Sequence, residues 1–144
     1  RWRWWARMSG AAQSTKTRSE YADILFFSAA NHALPSPLIQ HFLGDGPDRI
    51  VVCGMGAAGC ALGTRAGIRF FDPVALPEPV IDTNGAGDAL ATGFLSSYVL
   101  RGYSLEDAVL RGQIAARHAC AQRASSSALI TADLLDHHYR THIR

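Results

Sequence analysis

Short apolar runs separated by Gly, Pro and polar clusters set the frame of this sequence. Ala22-Asp23-Ile24-Leu25-Phe26-Phe27 is an apolar run that ends in small and polar residues, which suits a buried strand. Pro35 and Pro37 break the chain after it, and Ser36 is placed to cap a helix running to about Leu43. Gly44-Asp45-Gly46-Pro47 is a turn cluster, and Arg49-Ile50-Val51-Val52-Cys53 reads as a second strand. Strand, helix, strand in this order predicts a parallel βαβ unit. Cys60 to Thr64 and Ile68 to Phe71 flank the tight turn Arg65-Ala66-Gly67, which predicts a hairpin. Pro73, Pro77 and Pro79 then make an extended connection to Val80-Ile81-Asp82.

The period changes beyond that point. From Gly87 to about Leu100, the residues Leu90, Phe94, Leu95 and Tyr98 fall on one helical face, and Gly102 is placed to end the helix. Ser104 with Asp107 three residues on has the spacing of a capping box, predicting a second helix from Leu105 to about Gln122. A last helix from Ala132 to about Tyr139 would be capped by Thr131. The Ser125-Ser126-Ser127 loop separates the two, and there is no internal repeat.

Composition narrows the class. A chain of 144 residues, 48% hydrophobic and 18% charged, has room for one globular domain with a core. The net charge of +2 is uneven: residues 1 to 18 carry five basic residues and no acid, leaving nine basic against twelve acidic beyond them. A mildly acidic body argues against a broad nucleic-acid face. Trp2, Trp4 and Trp5 lie between arginines, a pattern able to adhere to anionic membranes or stack on bases, but residues 1–20 read more simply as an unstructured basic leader. Residues 21–144 then form the domain, with neither a nucleic acid nor a membrane as its expected partner. No apolar stretch approaches a membrane span, and with no secretory signal the cytoplasm is the default expectation. Cys53, Cys60 and Cys120 lack a CxxC pair and are expected to be buried free thiols. The six histidines show no metal-ligand spacing and are expected to be solvated or to cap helices.

The chemistry is concentrated in Asp82-Thr83-Asn84-Gly85-Ala86-Gly87-Asp88, where two carboxylates bracket a glycine-rich turn that opens onto a helix. First-turn amides have no partner inside the helix and carry its positive dipole end, so they attract phosphate. Gly85 and Gly87 let an oxyanion approach without a Cβ in the way. A carboxylate at the mouth of such an anion hole repels phosphate unless it has a chemical purpose. Asp88 is therefore the candidate base, taking the proton of an attacking hydroxyl while the amides of Gly85, Ala86 and Gly87 stabilise charge on the transferring phosphoryl group. On composition alone, capping carboxylates about a tight turn would explain the same residues.

This DTNGAGD segment resembles the C-terminal signature of the ribokinase, or PfkB carbohydrate kinase, family. The resemblance implies an α/β, three-layer α/β/α ribokinase-like fold with a mainly parallel sheet, of which residues 22 to 135 are the C-terminal half. It implies ATP-dependent phosphoryl transfer, assisted by Mg2+, to a hydroxyl of a sugar or related small molecule, with Asp88 as base. It also implies that Asp82, with the carbonyl of Asn84 nearby, borders a site for a monovalent cation such as K+. Gly56-Ala57-Ala58-Gly59 is similar to the family's turn beside the nucleotide, and Gln113 lies near where members line the adenine pocket, with Ala116 a neighbour on the same helix.

The departures matter too. Ser28 and Asn31 stand where members often carry Asn and Glu, so this element supplies no carboxylate. The N-terminal half that supplies sugar-binding residues and a lid has no counterpart here, so a dimer or pairing with a separate N-terminal half is expected. A catalytically silent nucleotide-binding or interaction module is the rival reading. A second rival is a dinucleotide-binding turn, because Gly54-Met55-Gly56-Ala57-Ala58-Gly59 also spells GxGxxG; that fingerprint needs a following helix, which Gly63 and Gly67 disfavour.

Overall fold

Parallel and antiparallel pairing meet at one strand of a mixed sheet. The computed structural model describes the main chain of residues 4–6 and residues 23–30, 34–44, 48–123 and 128–143 in full. The chain divides into two compact units, Arg1–Asp72 and Pro73–Arg144. The first holds β1 (Trp4–Ala6), β2 (Ile24–Ser28), α1 (Ser36–Leu43), β3 (Ile50–Gly54), a 3-10 turn (Gly56–Ala58), β4 (Cys60–Thr64) and β5 (Gly67–Phe71). The strand order is β1-β2-β3-β4-β5. The pairs β1–β2 and β2–β3 are parallel, with Leu25 opposite Val51, whereas β3–β4 and β4–β5 are antiparallel, with Val52 opposite Leu62.

The predicted βαβ unit and hairpin are both present. The expected mainly parallel sheet is corrected to a mixed one, because two of the four described pairings are antiparallel. The reason is local: the chain turns back directly after β3, and only an antiparallel partner can follow so short a connection. Of the segment expected to be an unstructured leader, only Trp4–Ala6 is described, and it pairs as a strand.

Strands β2, β3 and β4 are buried at consecutive positions, as expected of strands covered on both faces. Against one face α1 presents Ile39, Phe42 and Leu43 to Leu25, Val51, Cys53 and Ala61. The helix comes so close that a Cβ on Gly63 would lie 2.3 Å from the Ile39 side chain, which fixes glycine there. Pro35, not Ser36, takes the N-cap position, and Ser36 and Pro37 form the first turn, where the missing Pro N–H costs nothing. Burial pushes the Cys53 thiol up to about 11 and the Cys60 thiol up to about 12, so both stay protonated and unreactive at neutral pH. All three cysteines are free and buried, as expected.

The second unit is helical: α2 (Ala86–Leu95) runs into a π-helical turn (Ser96–Leu100), followed by α3 (Leu105–Cys120) and α4 (Ala132–His142). The wide turn comes where Ser96 and Ser97 both donate their hydroxyls to the Gly93 carbonyl, and these side chains compete with main-chain donors. Gly102, at φ 69°, closes the segment: its N–H donates to Tyr98 O and that of Tyr103 to Ser97 O. Both predicted caps form, with Ser104 Oγ accepting from Asp107 N–H and Thr131 Oγ1 from Leu134 N–H. Leu135 and Tyr139 of α4 pack with Ile114 of α3 and Leu76 of the extended segment. Arg111 pins the same pair of helices, lying 4.2 Å from the ring centroids of both Tyr103 and Tyr139 and donating to Asp136. No described helix is long and apolar enough to cross a membrane.

Candidate functional site

Within the second unit, the stretch Asp82–Asp88 is built from three sets of hydrogen bonds. The N–H groups of Ile81 and Asp82 donate to Cys120 O at the end of α3, at 2.7 and 3.2 Å. Asp82 then accepts from Asn84 twice, from its main-chain N–H at 3.0 Å and its side-chain amide at 3.4 Å. Ala86 N–H closes the turn onto Thr83 O at 3.3 Å, and Ala89 N–H starts the helical ladder onto Gly85 O at 2.9 Å. Gly85 sits at φ 77°, a left-handed conformation that a side chain would strain.

The first turn of α2 is thus left with its donors outward. Ala86 N–H has an acceptor, whereas those of Gly87 and Asp88 have none among the described residues, as expected of amides with no intrahelical partner. A Cβ placed on Gly87 would meet nothing within 4 Å, and its φ is not positive. Neither packing nor backbone conformation therefore calls for glycine at 87, although glycine in a helix costs about 1 kcal/mol relative to alanine. The space beside this residue of the open first turn is free. Asp88 is exposed, and its main-chain carbonyl accepts the Thr92 hydroxyl at 2.8 Å.

The predicted residues divide between the units. Asp82, Asn84, Gly85, Ala86, Gly87, Asp88 and Gln113 belong to the second; Gly56, Ala57 and Gly59 belong to the first. Gln113 is only 7% exposed, and its amide nitrogen has no hydrogen-bond partner among the described residues, an orphaned donor on α3. Ala116 is half-buried on the same helix. Gly56 (φ 61°) and Gly59 (φ 91°) make a tight 3-10 turn closed by Met55 N–H on Gly59 O at 2.9 Å. The chain leaves this turn as β4, antiparallel to β3, and the helix that a dinucleotide-binding turn needs is not formed. Of the two positions matched to the Asn-x-x-Glu element, Ser28 is exposed at the end of β2, and Asn31 lies outside the described residues.

The carboxylate of Asp82 closes its turn by accepting both donors of Asn84. Among the described residues, no group of three or more His, Cys, Asp or Glu could hold a metal ion. Nothing in the residue pattern marks the Cys120 carbonyl, which anchors the turn, because any residue supplies that atom and only the fold brings it near.

Comparison with known proteins bears on the family and the fold. Residues 8–132 match the model of the pfkB family carbohydrate kinases. Over 113 residues the chain is 34% identical to an acarbose 7(IV)-phosphotransferase of an Actinoplanes strain, a match covering 77% of this chain and 38% of that protein. A solved microbiome-derived acarbose kinase is similar with a TM-score of 0.84 and 25% identity, over 95% of this chain and 47% of the other. A nucleoside kinase of Methanocaldococcus jannaschii, from the ribokinase family, is similar with a TM-score of 0.73 and 26% identity, over 86% of this chain and 42% of the other. The chain spans less than half the length of each of these relatives. With the signature turn at the head of α2 and a ribokinase-like fold, this chain belongs to the pfkB family of carbohydrate kinases.

Proposed function

We propose that this chain carries the phosphate-binding and proton-accepting part of an ATP-dependent kinase acting on a hydroxyl of a sugar or related small alcohol. The observation that carries the reading is the unfilled space over Gly87, where open first-turn amides lie beside an exposed carboxylate. An anion seated there accepts hydrogen bonds from Gly87 and Asp88 N–H and gains from the helix dipole. Asp88 takes the proton of the acceptor hydroxyl as its oxygen bonds to the γ-phosphorus and the bond from that phosphorus to the β–γ bridging oxygen breaks, releasing ADP. Such base assistance is worth about 100- to 10,000-fold in rate. A divalent ion such as Mg2+, arriving with the nucleotide, supplies charge neutralisation between its phosphates.

Gln113 is assigned to the adenine end, where its orphaned amide nitrogen would find an acceptor on a purine. Gly56, Ala57 and Gly59 enter the proposal only through the resemblance of their turn. Asn84 and Asp82 are given the task of shaping the anion turn, with a K+ role for Asp82 left to the cation test in the Discussion. The acceptor site, and with it full activity, is assigned to a second chain or segment: a pairing of this chain with an N-terminal half, or a dimer.

Asp88→Asn tests the base. Transfer from ATP to a carbohydrate, measured with whatever partner completes the enzyme, should fall by at least about 100-fold while ADP affinity stays within about threefold. Equal turnover by the variant would remove Asp88 from the chemistry. The rival reading is an inactive nucleotide-binding module. It predicts thermal protection by ATP with no transfer under any pairing.

A further inference from the structure

His138 departs from what the sequence suggests of its histidines. Adjacent to His137 on α4, it reads as solvated, yet it is only 8% exposed and its Nδ1 has no hydrogen-bond partner among the described residues. The His142 ring stacks on it at 5.7 Å one helical turn on, and the His137 ring meets it edge-on at 5.9 Å.

The groups facing His138 come from three elements. His137 and His142 lie on α4 itself, His118 comes from the end of α3, and Glu78 comes from the extended segment before the signature turn. Beside them, Arg117 of α3 donates to the carbonyls of Leu76 and Glu78. Three imidazoles thus act against a charge on one buried ring, with Glu78 as the carboxylate that acts in its favour.

We infer that the docking of α4 against α3 and the extended segment is acid-sensitive, and that protonation of His138 is what loosens it. A proton added at the orphaned ring nitrogen, or at its partner nitrogen, makes both donors. One of them then faces no acceptor, in a place with little water. The charge also meets the neighbouring histidines, each of which repels it when protonated. Burial is the largest influence, and it holds the His138 pKa below its ordinary 6.5 despite the pull of Glu78. A base whose affinity for protons is lower folded than unfolded makes the unfolded state bind more protons as the pH falls. Stability is then complete above the ordinary value and drains away as the pH falls from it toward the folded-state value. The inference is independent of the kinase reading, since it concerns only the packing of Leu135 and Tyr139 on Ile114 and Leu76.

Hydrogen exchange of the full chain, followed on peptides spanning α4 and corrected for intrinsic rates, tests it. On going from about pH 7.5 to about pH 5.5, wild-type protection in α4 should fall by up to about tenfold per pH unit once below the ordinary imidazole value, with β2 to β4 as the internal reference. In His138→Gln, which has no charge to gain, the fall should be less than about threefold over the same range. A pH response of the same size in the variant overturns the inference, as does a wild-type α4 whose protection does not change. If His138→Gln does not fold, His142→Gln decides: with one repelling neighbour removed, the pH response must shrink, and an undiminished response overturns the idea equally.

Discussion

Gly93 and Gly112 touch where α2 crosses α3: a Cβ on Gly93 would lie 3.0 Å from the Gly112 Cα and 2.8 Å from the Ala115 Cβ, and one on Gly112 would lie 2.8 Å from the Leu90 carbonyl. The two helices approach to backbone contact, and this crossing sets the direction in which the head of α2, with its open amides, is presented. Gly112→Ala should therefore destabilise the chain by about 1–3 kcal/mol, the overpacking cost exceeding the gain in helix propensity of about 1 kcal/mol. Urea denaturation measures it. A neutral or stabilising effect would mean that the helices can separate freely.

Gly87→Ala is the opposite case. With nothing within 4 Å of the added Cβ and no positive φ, the fold should be unaffected or gain up to about 1 kcal/mol. Binding of ATP without an acceptor, by calorimetry, should weaken by about tenfold or more, because the methyl group occupies the place of the phosphate. A more stable protein with unchanged ATP affinity would empty the proposed anion site.

Asp82→Ala and Asp82→Asn separate shaping of the turn from cation binding. Alanine removes the acceptor of both Asn84 donors and should cost about 0.5–1.5 kcal/mol and weaken ATP binding, whereas asparagine keeps a carbonyl that the Asn84 N–H can reach. Near-normal ATP affinity in Asp82→Asn, unchanged by K+, supports the shaping role. Loss of a K+ response in that variant alone would assign the carboxylate to the cation.

Arg111→Ala should be the most damaging change in the second unit, about 3–5 kcal/mol by thermal denaturation, because it removes a buried cation stacked on two tyrosines and strips Asp136 of its main partner. The same pair sets a low-pH limit. The Arg111 hydrogen bond, helped by the charges of Arg101 and Arg140, holds the Asp136 carboxyl below its ordinary 3.8, against some burial. A carboxylate held down in the folded state adds stability above that ordinary value and loses it as the pH falls through the folded one. Acid unfolding below about pH 4 should thus be less steep in Arg111→Ala, while the milder acid response assigned to His138 remains.

Hydrophobic period and local caps made the elements legible. Ser104 and Thr131 form the caps their spacing predicts, the hairpin at Arg65-Ala66 is where the apolar runs put it, and Gly102 ends its segment in the left-handed conformation. These interactions join residues a few positions apart, so the order of residue types contains them. The π-helical turn at Ser96–Leu100 was less legible, since two hydroxyls competing for one carbonyl leave no periodic mark.

The sequence by itself determined the strand-turn-helix order, the glycine-rich turn with its two carboxylates, and through them the family. Tertiary structure decided the rest: that the Cys120 carbonyl anchors the turn, that Gly87 faces open space while Gly93 and Gly112 face each other, and that His138 is buried while His137 is not. The physical reason is one of range. A cap or a turn is settled by neighbours along the chain, whereas burial, orphaned donors and the space beside a missing Cβ depend on atoms brought from distant positions, which the order of residues alone does not specify.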